Sequence, residues 1–66
     1  MTELGPFKSK SGKRYIGIFY ADNTVEVLGP MQDAGGMAPR VFEDTATSEE
    51  DARNKIKEAI SQGIIK

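Results

Sequence analysis

Arg14 to Tyr20, RYIGIFY, is rich in β-branched and aromatic residues, breaks at Ala21-Asp22-Asn23, and resumes the same composition in Thr24 to Leu28, TVEVL. Two such runs flanking turn residues predict a β-hairpin. Asp22 and Asn23 both tolerate positive φ and suit a two-residue turn, which sets Tyr20 opposite Val25, Phe19 opposite Glu26 and Ile18 opposite Val27. Residues opposite one another share a face. Ile16, Ile18, Tyr20, Val25 and Val27 then form the expected core face, and Tyr15, Gly17, Phe19, Thr24, Glu26 and Leu28 form the other.

Gly29 to Pro39, GPMQDAGGMAP, has prolines, glycines and no periodicity, so residues 29–39 read as a long loop. Arg40 to Glu43 reads as a short third strand, with Phe42 favoured over Val41 as the inward residue because the core is short of bulk. The last segment has the clearest pattern. Ala52, Ile56, Ala59 and Ile60 fall on one helical stripe. Ser48 and Asp51 stand at capping-box spacing, and Glu49, Glu50 and Asp51 lie where a helix dipole is positive. Glu49–Arg53 and Asp51–Lys55 are i,i+4 pairs of favourable sense. Gly63 suits a C′ position, with Ile64 folding back on the last turn. A helix over 49–62 follows. The expected fold class is α+β: a three-stranded antiparallel sheet with one C-terminal helix packed on one face, in the order β-β-β-α.

Sixty-six residues support one small domain and leave little volume for a deep cavity. With no cysteine and no histidine, neither a disulfide framework nor a zinc site is expected. No apolar run matches a signal peptide or a membrane span, so cytoplasmic residence and no membrane partner are the default expectations. Residues 1–12 are expected to be flexible or to fold back, with Leu4-Gly5-Pro6-Phe7 covering the second sheet face. Charge is uneven along the chain: Lys8, Lys10, Lys13 and Arg14 stand against Glu3 in residues 1–20, while the remainder is acidic and the whole carries −1.

Enzymatic chemistry finds little support. Nothing spaces two carboxylates in a rigid cleft, and Asp33 and Glu26 lie on a loop and a strand where carboxylates normally face solvent. Glu43-Asp44 with Glu49-Glu50-Asp51 lacks the alternation and the glycine of a calcium loop, and helix capping accounts for three of the five. Gly35-Gly36 is followed by neither a Lys-Ser/Thr pair nor a helix, so it is no phosphate loop. No enzyme activity, metal or cofactor is expected.

The element order, with Thr47-Ser48-Glu49-Glu50-x-Ala52 opening the helix, loosely resembles two groups: the strand-and-helix DNA-binding domains of plant ethylene-response factors and phage integrase arms, and the HicB-type antitoxins. The DNA-binding domains would imply several Arg on the free sheet face, where this chain has aromatics and Glu26. The antitoxins would imply a Pro-Asp-Leu-Pro-Gly-like turn, which Gly29-Pro30-Met31-Gln32-Asp33 does not reproduce. Neither family is assigned.

The functional expectation is a protein-interaction module, an accessory, inhibitor or adaptor such as small phage and bacterial genomes encode. It would bind a partner or a second copy through Tyr15, Phe19, Glu26, Leu28, Met31 and Met37. Phe19 and Tyr15 flank the side-chain-free Gly17, a slot suited to an apolar anchor; Met31 and Met37 either plug the core edge or offer adaptable contact. The alternative is a nucleic-acid-binding domain, in which Tyr15 and Phe19 stack bases while Lys8, Lys10, Lys13, Arg14 and Arg40 follow phosphates. The acidic pI of 5.3 weighs against it.

Overall fold

A computed structural model describes residues 1–32 and 38–66. Four strands, β1 (Thr2–Lys8), β2 (Arg14–Phe19), β3 (Thr24–Leu28) and β4 (Arg40–Thr45), precede one helix, α1 (Glu49–Ser61). The sheet is an antiparallel meander in the order β1-β2-β3-β4. The α+β class with a C-terminal helix is as expected, but the strand count is four.

The additional strand is the N-terminal segment. Instead of staying flexible or crossing the second face, it pairs edge to edge with β2, Pro6 opposite Ile16 and Phe7 opposite Tyr15, with a register shift between Glu3 and Gly5. This satisfies its backbone groups in the ladder and sends Leu4 into the core, with Phe7 packed beside it. Backbone pairing and apolar burial are gained together, which a loose flap over the sheet would not achieve.

The hairpin register differs by one residue from the two-residue-turn expectation, and the loop chemistry explains why. Ala21-Asp22-Asn23 forms a three-residue loop closed by Tyr20 N–H to Thr24 O at 2.8 Å and Asn23 N–H to Tyr20 O at 3.0 Å. Only Asn23 takes positive φ, at +70°, and the Asp22 carboxylate accepts from Thr24 N–H at 3.0 Å. Lys10-Ser11-Gly12 repeats the device between β1 and β2, with Ser9 N–H to Lys13 O, Gly12 N–H to Ser9 O and Gly12 at φ +85°. Adding one loop residue moves every partner: Gly17 now faces Val27, Phe19 faces Val25 and Ile18 faces Glu26.

A one-residue shift exchanges the faces. The core therefore holds Tyr15, Val25 and Val27 with Leu4, Ala46, Ala52, Ile56, Ala59 and Ile65, and Phe7, Phe19, Phe42 and Ile60 pack against it. Ile16 and Ile18, expected inside, lie on the opposite face. Phe42 does point inward, opposite Val27, while Val41 stays 36% exposed.

The helix begins as its sequence predicts. Ser48 Oγ accepts from Asp51 N–H at 3.1 Å, and the Asp51 carboxylate accepts from Thr47 N–H at 3.0 Å. Asp51 and Lys55 pair at 3.7 Å. Arg53, expected to face Glu49, donates to the Leu4 carbonyl at 2.6 Å and ties the helix to β1. At the far end Gly63 N–H bonds Ile60 O and Ile64 N–H bonds Ala59 O, a Schellman pattern with Gly63 at φ +78°. Ile65, not Ile64, returns to the core: Ile64 is 55% exposed and Ile65 2%. The β1–β2 turn then clamps this end, with Lys10 Nζ donating to Ser61 O at 2.7 Å and Ser9 Oγ to Lys66 O at 3.0 Å.

Candidate interaction surface

The pairing register defines the sheet face turned away from α1. Opposite residues of an antiparallel pair share a face, so four cross-strand rows can be traced. Lys8 and Arg14 form the first, and Pro6, Ile16, Leu28 and Arg40 the second. Glu3, Ile18, Glu26 and Glu43 form the third, and Tyr20 with Thr24 and Thr45 closes the face. The surface has Lys8 and Arg14 at one end, Tyr20, Thr24 and Thr45 at the other, and between them two rows in which Ile16, Ile18 and Leu28 stand beside Pro6, Arg40, Glu3, Glu26 and Glu43. Those three aliphatic side chains are half-buried.

A hydrogen-bonded cluster occupies one flank. Tyr20 Oη donates to Glu26 Oε1, while Arg40 Nη1 donates to Glu26 Oε2 at 3.0 Å and to Glu43 Oε2 at 3.2 Å. The Glu26 side chain is only 17% exposed, so these partners replace much of its hydration. Donation from Tyr20, then from Arg40, holds the Glu26 carboxyl below the usual glutamate range. The same bond to Glu26 raises the Tyr20 phenol. These bonds fix Tyr20, Glu26 and Arg40 in place relative to one another.

Two shallow depressions flank the face. One, of about 280 Å³, is lined by Pro6, Arg14, Tyr15, Ile16, Met31 and Gln32, where Met31 N–H donates to Arg14 O at 2.8 Å. The other, of about 250 Å³, lies at the opposite end against Phe19, Tyr20 and Glu49. Among the described residues no group of three or more acidic side chains is placed to hold a metal ion, and no helix is long and apolar enough to cross a membrane.

The residues expected to bind a partner separate into three groups. Tyr15 is 3% exposed and Phe19 packs against the core, so both leave the free face. The slot at Gly17 exists, but the chain fills it: a Cβ built on Gly17 would meet Ile56 Cδ1 at 2.7 Å. Glu26 and Leu28 do lie on the free face, and Met31 sits half-buried beside Arg14. Met37, like Asp33 and Gly35-Gly36, lies outside the described residues.

Of the expected cationic set, Lys8, Lys13 and Arg14 are exposed at one end of the sheet, Lys10 is bonded to the helix terminus, and Arg40 to Glu26 and Glu43. Sequence reasoning placed Ile16, Ile18 and Tyr20 on the wrong face and overlooked Pro6 and Glu43. A Ser-Gly turn at 11–12 between apolar segments was the available signal for the first hairpin, and with it for Pro6. No family model, no curated protein and no solved structure matches this chain.

Proposed function

We propose that the chain is a non-enzymatic protein-interaction module that docks through the open sheet face, with the start of the 29–39 loop at its margin. The observation that carries this reading is one of layers: α1 packs on one side of the sheet, and no described strand or helix lies over Ile16, Ile18 and Leu28 on the other. Apolar side chains grouped on an uncovered face and rimmed by charge favour association. Each aliphatic side chain that an interface finishes burying adds a fraction of the roughly 1.5–3 kcal/mol that full burial is worth. Three of them with a fixed polar cluster supply a modest, specific contact.

The test compares three baits: wild type, Ile18→Glu on the open face, and Lys57→Glu on the exposed helix surface. The reading requires a partner retained by wild type and by Lys57→Glu and lost with Ile18→Glu. Equal retention by all three baits would overturn it. The nucleic-acid alternative keeps Lys8, Lys13 and Arg14 but has lost its stacking platform, since Tyr15 and Phe19 face the core. It requires oligonucleotide binding at about 50 mM salt, where phosphate contacts are strongest.

A further inference from the structure

We infer that residues 63–66 form a latch, a strap held shut by the β1–β2 turn that opens as a unit while the sheet and α1 stay folded. The strap belongs to neither element. Gly63 turns the chain out of α1, and the residues after it divide: Ile64 faces solvent while Ile65 is buried in the core.

Its long-range fastenings come from one place. The Ser9 and Ser11 hydroxyls both donate to Lys66 O, the first at 3.0 Å, and Lys10 Nζ donates to Ser61 O at 2.7 Å. Three consecutive residues of the turn thus hold the far end of the chain at separations of 51 to 57 positions. The helix shows what the turn supplies. Its first turn carries Glu49, Glu50 and Asp51, but its last turn has no basic residue, so Lys10 meets the negative end of the dipole from outside. Among the described residues Ser9 is the buried polar side chain, and its hydroxyl also accepts from Lys13 N–H at 3.3 Å, which keeps the turn in the shape that presents Lys10 and Ser11.

What opening breaks decides whether the strap moves alone. Locally it is tied by Gly63 N–H to Ile60 O and by Ile64 and Ile65 N–H to Ala59 O. Release loses these bonds, the bonds from the turn and the cover over Ile65. It costs no pairing between the strands and no bond inside Glu49–Ser61. A segment whose release spares both the ladder and the helix opens at a lower free energy than the whole domain. Once released, Ile64 and Ile65 stand together in solvent, and the end of the core away from the β2–β3 turn is uncovered. The latch therefore governs access to that end.

Native-state amide exchange in rising urea tests this. Ile64 and Ile65 are expected to exchange at least about tenfold faster than Val25 and Val27 on the central strand β3, and almost independently of urea below the transition. Equal rates, or a shared urea dependence at all four amides, would overturn the latch. Ser9→Ala combined with Ser11→Ala then separates a strap held by the turn from simple fraying of the helix end. Losing two hydrogen bonds should speed exchange at Ile64 and Ile65 by about tenfold and leave it insensitive to urea, with the valines quickening by the same factor because unfolding releases the same bonds. An unchanged rate at Ile64 and Ile65 would show that the turn does not hold the strap.

Discussion

Adding one methyl group at Gly17 discriminates between the two faces of the hairpin by the sign of its effect. A Cβ there would stand 2.7 Å from Ile56 Cδ1, 3.0 Å from Phe7 Cε2 and 3.5 Å from Leu4 Cβ. The first distance is one that packed carbons do not adopt, so Ile56, which is fully buried, must change rotamer or the helix must lift. Overpacking of this kind costs about 1–3 kcal/mol, while replacing a strand glycine by alanine returns roughly 0.5–1 kcal/mol of backbone entropy. Gly17→Ala is therefore expected to destabilise by about 0.5–2 kcal/mol, a fall of several degrees in Tm for a domain of this size. On an open face the same change would stabilise. Ile56→Val supplies the control, because it removes the offending Cδ1: alone it costs about 0.5–1.5 kcal/mol, and with Gly17→Ala it should cost close to nothing. Urea titrations followed by circular dichroism give all four corners of the cycle. The packing assignment fails if Gly17→Ala is neutral or stabilising, or if Ile56→Val costs the same in both backgrounds.

The same exchange of faces predicts that Ile18→Ala stays within about 1 kcal/mol of wild type, whereas the chemically identical Ile56→Ala costs about 2–5 kcal/mol; equal losses in urea melts would contradict it. Ser48→Ala removes the side chain that accepts from Asp51 N–H and should cost about 1 kcal/mol, with amide exchange rising first at Asp51 and Ala52. Glu26 has its carboxyl lowered by Tyr20 and Arg40, so its contribution is complete above the ordinary glutamate range and is lost as pH falls through its lower folded value. Tyr20→Phe deletes the leading cause; carbon-detected titration of the Glu26 carboxyl should show it moving back up, and an unchanged titration would show that the phenol does not act on it.

The elements with local signals were legible and those set by pairing were not. Ser48, the acidic first turn, the Ala52/Ile56/Ala59 stripe and Gly63 specify the thirteen residues of α1, because capping and helical periodicity act between near neighbours. The strand composition of β2 and β3 was equally plain. Their register was not, since Asp22-Asn23 suits a two-residue turn as a pair while Asn23 suits a three-residue loop alone, and only the burial of the whole face decides between them. β1 was missed for a related reason: TELGPFK carries a glycine and a proline, and its value as a strand comes from pairing with β2, which puts Leu4 and Phe7 on the helix side. The surface inherited that error, with Glu26 and Leu28 kept and the aromatic pair exchanged for Ile16 and Ile18.

The two free edges of the sheet strengthen the case for association through its face. β1 carries Pro6, which has no N–H to offer, and a bulge between Glu3 and Gly5 that interrupts its line. β4 is shifted in register between Val27 and Leu28, and at its end Thr45 has both backbone groups engaged, its N–H by the Asp44 carboxylate at 2.8 Å and its carbonyl by Lys55 Nζ. Charged Arg40, Glu43 and Asp44 line the same strand. Strand addition at either edge would have to displace these contacts or leave ladder groups unpaired, each at a cost of about 1–3 kcal/mol. Stacking on the face disturbs no backbone hydrogen bond and retains the Tyr20–Glu26–Arg40 cluster, so a partner that covers Ile16, Ile18 and Leu28 meets a surface already arranged to receive it.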